Sequence, residues 1–117
     1  MVEFSLSESG RERPGKTVQI LKVAGGLDAY SFPVLQERIE QLIAGGARYL
    51  VIDCAGLDYI SSAGLGVLKK MVREIRTHGG DIRLAALSEQ ITKIVHLLGF
   101  DKVINVYATL EDAVSSY

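Results

Sequence analysis

One cysteine, Cys54, stands alone in 117 residues. It leaves no internal disulfide to staple the fold, and the lack of any CxxC or Cys/His ligand spacing argues against a metal site. Such sparing use of cysteine fits a reducing compartment, so a cytoplasmic location is expected. No apolar run approaches the ~18–20 residues that cross a bilayer, and no basic segment leads an apolar one behind Met1. Neither a membrane span nor a secretory leader is expected. An excess of either charge is also missing. Thirteen Lys and Arg stand against 14 Asp and Glu, a net charge of -1, which removes the basic footprint that nucleic acid or an anionic membrane would require. Linkers, repeats and low-complexity tracts are absent too. One core serves roughly 100–150 residues, and 48% hydrophobic against 23% charged residues suits a globular chain. Residues 1–117 are therefore expected to form a single domain.

What is present alternates between short β-rich stretches and helical stripes. Residues 2–6 and 17–23 read as a hairpin, with the charged stretch 10–16 as its turn. Phe32, Leu35, Ile39, Leu42 and Ile43 fall at helix spacing, with Ser31 as cap, Pro33 tolerated in the first turn and Gly45-Gly46 as stop. The near-continuous apolar run 49–53 reads as a central strand. A second helix carries Leu65, Leu68, Val72 and Ile75 on one side and Lys69, Lys70, Arg73, Glu74 and Arg76 on the other, stopping at Gly79-Gly80. Residues 81–87 read as strand. Ser88 can cap a third helix bearing Ile91, Ile94, Val95 and Leu98 and ending at Gly99; 102–106 reads as a further strand. Thr109 to Asp112 has the spacing of a capping box for a short helix. The order β-β-α-β-α-β-α-β-α predicts an α/β domain, a mixed and mostly parallel sheet with helices packed on it.

The stretch 53–67 is expected to leave a buried strand, pass through a tight loop and enter a helix, and it brings Ser61 and Ser62 to the helix start. A serine there is a preferred N-cap, worth ~1 kcal/mol. Gly64 and Gly66 lie in the first turns, where each costs ~0.8–1 kcal/mol relative to alanine, so tight packing or close approach of a partner has to account for them. The helix start also tolerates a phosphoryl group, because its free amides and positive partial charge favour an anion. Capping and modification thus compete for the same pair of hydroxyls.

At these residues the chain resembles the STAS superfamily, specifically its single-domain bacterial anti-sigma factor antagonists. The resemblance rests on Asp58-Tyr59-Ile60-Ser61-Ser62-Ala63-Gly64-Leu65-Gly66 and on Gly25-Gly26-Leu27-Asp28, and it covers roughly residues 4–114. It implies a STAS-like domain and phosphorylation of a serine by an anti-sigma factor with serine-kinase activity, reversed by a PP2C-like phosphatase. Alignment on Gly64-Leu65-Gly66 assigns the acceptor to Ser62. Ser61 is the alternative, standing where well-known members carry aspartate. The resemblance places Asp28 in the loop beside the acceptor, where it could hold the serine, meet the partner or simply complement a helix dipole. The implied partner surface comprises Asp28, residues 58–62, Gly64, Leu65 and Gly66.

Other chemistries fit less well. A Rossmann site fails because Lys69 occupies the third glycine position. A Gly-x-Ser-x-Gly elbow is absent, since Ile60 lies two residues before Ser62. His78 and His96 read as helix-end and packing residues, and no cofactor motif remains. Lys69, Lys70, Arg73 and Arg76 read as a solvated face rather than a nucleic-acid footprint. The activity expected is binding, not catalysis, with kinase and phosphatase acting in trans. The rival within the same fold is a STAS scaffold or a partner-switching regulator with a non-transcriptional output.

Overall fold

The computed structural model describes residues 3–117, so residue 2 of the expected first strand lies outside the described residues. Strands β1 (Phe4–Arg13) and β2 (Lys16–Leu27) form the antiparallel hairpin, and α1 (Phe32–Ala44) leads to β3 (Tyr49–Ile60). Then come α2 (Ser62–Thr77), β4 (Asp81–Ala85), α3 (Glu89–Leu97), a 3-10 turn (Phe100–Lys102), β5 (Asn105–Tyr107) and α4 (Leu110–Ser115). The five strands lie in sequence order β1-β2-β3-β4-β5, with every pair after the first parallel. The expected α/β order and mixed sheet are both present, and β3 is the middle strand.

The period-2 side-chain rule divides this sheet into two dissimilar faces. Leu21, Val23, Leu50, Ile52, Ile82 and Leu84 point to one side, where the buried stripes of α1, α2 and α3 close over them. On the other side, among the described residues, Val18, Ile20, Val51 and Ala85 pack with Ala113 and Val114 of α4, with Tyr49, Tyr107, Leu110 and Tyr117 at the margin. The Tyr117 hydroxyl lies 2.7 Å from the Leu50 carbonyl and 2.8 Å from that of Asp81, so its proton is shared between two strands.

Several boundaries differ from the sequence expectation. The hairpin turn is only Pro14-Gly15, and Gly10 with the charged residues 11–13 belongs to β1, because an edge strand tolerates polar residues on both faces. Strand β4 stops at Ala85 rather than 87. Strand β5 begins at Asn105 because the 3-10 turn takes up 100–102, burying Phe100. Ile94 and Leu98 are exposed instead of packed, leaving Ile91 and Val95 to anchor α3.

The most consequential difference concerns β3. Residues 56–60, expected as a loop, continue the strand against β2, with Ala24 opposite Gly56 and Leu27 opposite Ile60. The continuation requires two register shifts, and at the first the Asp53 carboxylate accepts the Ala55 N–H at 3.1 Å. A bulged strand leaves one backbone donor out of the ladder, and this side chain satisfies it. Gly25, opposite Leu57, has φ +86, and a Cβ there would lie 1.6 Å from the Glu3 carbonyl oxygen. Only glycine fits.

Candidate partner-binding site

The extended β3 delivers its last residues to the start of α2. Leu27 O accepts the Ser61 N–H at 2.9 Å, joining the end of β2 to the point where β3 becomes helix. Ser61 keeps an extended backbone (φ -85, ψ 161) and its hydroxyl accepts the Gly64 N–H at 3.0 Å, while its carbonyl takes the first helical bond from Leu65. Ser61 is the N-cap. Ser62 is the first helical residue, exposed, with no side-chain hydrogen bond among the described residues. The two roles that compete in the sequence therefore fall on different residues.

Gly64 and Gly66 differ in the same way. A Cβ on Gly64 would come within 3.0 Å of Leu27 O and 3.3 Å of Leu27 Cγ, so close packing of α2 on the end of β2 accounts for that glycine. Around Gly66 nothing lies within 4 Å of such a carbon, and the residue is exposed. Packing within the chain gives no reason for it.

Beside the helix start lies the turn 28–31. The Asp28 carboxylate accepts the Tyr30 N–H at 2.9 Å and the Ser31 N–H at 3.1 Å, and the Ser31 hydroxyl is 3.2 Å away. These donors, the Tyr30 amide foremost, hold its carboxyl below the ordinary carboxylate range. Ser31 is buried and does not cap α1. Its hydroxyl instead donates to Gly26 O at 2.6 Å and accepts the Asp28 N–H at 2.9 Å, because the turn closes backward onto β2. Asp28 is thus committed to its own turn, which sits next to Leu27 and Ser61.

Of the residues anticipated at this surface, Asp58, Tyr59, Ser62 and Gly66 are exposed, and Asp28 and Ser61 are half-buried. Ile60, Gly64 and Leu65 lie beneath and support the others. Two exposed apolar residues beside this turn were not among those expected, Tyr30 at 80% exposure and Val34 at 51%; Tyr59 is 48% exposed. The Asp28-x-x-Ser31 spacing, an Asx-turn signal, was the available clue. Elsewhere Cys54 is buried and its thiol is pushed up to about 12, first by burial and then by the Asp53 charge, so it makes a poor nucleophile. His96 Nδ1 lies 2.9 Å from an Asp101 carboxylate oxygen on the exposed side of α3.

Residues 12–113 match the STAS domain family. An anti-sigma-B factor antagonist of Bacillus subtilis is 33% identical over 94 residues, 80% of this chain and 85% of that one. The chain belongs to the STAS-domain anti-sigma factor antagonist family. The crystal structure of an anti-sigma factor antagonist from Mycobacterium paratuberculosis is similar to this STAS domain with a TM-score of 0.79 at 27% identity, covering 96% of this chain and 93% of that one. The fold is also shared with the Bacillus cell fate determinant SpoIIAA in its phosphorylated form, with a TM-score of 0.69 at 21% identity over 97% of this chain and 98% of that one.

Proposed function

We propose that this STAS domain is an anti-sigma factor antagonist of the cytoplasm that works by partner switching. In its unmodified form it captures an anti-sigma factor with serine-kinase activity and so frees that factor's sigma factor. The capturing surface is Ser62, the exposed residues Asp58, Tyr59 and Gly66, and the turn bearing Asp28. The chain acts by binding; the catalytic groups are in its partners.

The observation that carries this reading is the division between Ser61 and Ser62. Because Ser61 supplies the cap, the Ser62 hydroxyl can be esterified without removing a bond the helix needs. Transfer of the γ-phosphoryl group of ATP to Ser62 Oγ releases ADP, and the serine proton leaves through the kinase. The product carries ~-1.5 to -2 charges at a helix start that accommodates an anion, so the fold is retained while the surface changes. Like-charge contact and desolvation at an interface cost several kcal/mol, and each ~1.4 kcal/mol is tenfold in affinity, enough for ~100-fold release. A PP2C-like phosphatase would restore the binding form.

The test is phosphorylation by the cognate anti-sigma factor with ATP, followed by peptide mapping. One phosphate on Ser62, lost in Ser62→Ala, is the expected result. Phosphate on Ser61 alone would overturn the assignment.

A further inference from the structure

We infer that the partner surface continues down the outer side of α2 from Ser62 through Gly66 to Lys70 and Arg73, and that it receives an acidic face of the anti-sigma factor. This inference rests on the partner-switching reading above and gives the partner its charge.

The geometry follows from the helix repeat. At ~100° per residue Ser62, Gly66 and Arg73 fall within about 40° of one another, and Lys69 and Lys70 lie on either side. The buried residues Leu65, Leu68, Met71, Val72 and Ile75 fall on a separate arc centred roughly 130–140° away. The stripe from Ser62 to Arg73 rises about 16 Å along the axis, within the reach of one ordinary protein interface.

Two independent observations mark this stripe as more than a solvated face. The first is Gly66, an exposed glycine inside a helix with open space where its side chain would be. The chain pays for its poor helix propensity without any packing of its own in return, as expected where another backbone approaches closely. The second is the state of the cations. Arg76, in the last turn of α2, is committed to Asp81 at 2.9 Å and to the Val103 carbonyl at 2.8 Å. Lys69, Lys70 and Arg73 make no ion pair or side-chain hydrogen bond among the described residues. Glu37 and Glu40 of the neighbouring α1 do not reach them either. Three cations without an ion pair among the described residues therefore flank and extend Gly66, which packing inside the chain leaves unexplained.

An acidic partner also explains the sign of the switch. A phosphate at the head of this stripe repels an acidic face already drawn there by Lys70 and Arg73, whereas it would attract a basic one.

The experiment measures association of the purified chain with its cognate anti-sigma factor over a range of salt concentrations, using the parent, Lys70→Glu, Arg73→Glu and Ser62→Asp. Circular dichroism and a melting curve check that each variant folds. Each charge reversal is expected to weaken binding at least tenfold at low salt, chiefly through the on-rate, and to flatten the parent's loss of affinity with added salt. Affinity within twofold of the parent for both reversals, or tighter binding, would overturn the acidic-face inference while leaving the switch intact. If Ser62→Asp bound as tightly as the parent, partner switching at Ser62 would fail instead, whatever the reversals did. A parent that binds no anti-sigma factor would overturn both.

Discussion

The Ser61 hydroxyl accepts the Gly64 amide at 3.0 Å, and this bond assigns the two adjacent serines different work. Aspartate and serine are about equally good N-caps. The serine that stands where well-known relatives carry aspartate therefore preserves the cap while changing the charge, and the neighbouring hydroxyl stays available.

Stability should separate the pair. Ser61→Ala is expected to cost ~0.5–2 kcal/mol in urea unfolding, and Ser61→Asp to stay close to the parent. Ser62→Ala should lie within ~0.5 kcal/mol of it, as an exposed residue without a bonded side chain. If Ser62→Ala proved the more damaging alanine substitution, the cap would have to be reassigned.

The same substitution two residues apart should act with opposite signs. Gly66→Ala has room for its methyl group and removes a helix defect, so the melting temperature should rise, by ~0.4–1 kcal/mol in stability, while capture of the anti-sigma factor weakens. Gly64→Ala presses on Leu27 and should lower stability by ~1–3 kcal/mol. Calorimetric melting together with a binding isotherm for each variant tests both.

Acid should loosen the turn at Asp28. Its folded carboxyl lies below the ordinary value of ~3.9, so the stability it contributes is fully present above that value. As pH falls through the folded pKa, protonation removes that contribution. Asp28→Asn should therefore show a shallower acid limb of stability against pH, and a carbon-detected titration of Asp28 should have its midpoint below that of an unstructured aspartate. An ordinary midpoint would argue against the bonds from Tyr30 and Ser31.

Cys54 should be silent to thiol reagents at pH 8 in the native state. Its pKa of about 12 and its burial both withhold the thiolate. Labelling at the rate of global unfolding, accelerated by urea, is expected; fast labelling without denaturant would mean that β3 opens locally.

The first three helices were legible because each has an apolar stripe with a stop signal, and α4 because of its capping box. Leu65, Leu68, Val72 and Ile75 define α2, and Gly79 closes it. What local pattern could not show is how far strands extend once a neighbour supplies hydrogen bonds. Residues 10–13 are too charged, and 56–60 too rich in turn formers, to read as strand, yet β2 pairs with both. Ser31 looked like a cap because it precedes a helix, but Gly26, brought close only by the folded turn, takes its hydroxyl proton. The Ser62 neighbourhood was readable from its motif, whereas the exposure of Tyr30 and Val34 shows only once the turn is closed. Ile94 and Leu98 fit the apolar stripe in sequence, but α3 ends at Leu97 and buries only Ile91 and Val95.

Among the described residues, the cover on the sheet's second face comes mainly from α4, Leu110–Ser115, which follows all five strands along the chain. Without those residues Val18, Ile20 and Val51 form a bare apolar strip on an otherwise complete sheet. Premature termination before residue 110 should yield a product that is cleared or aggregates, even though every residue of the Ser62 surface has already been made.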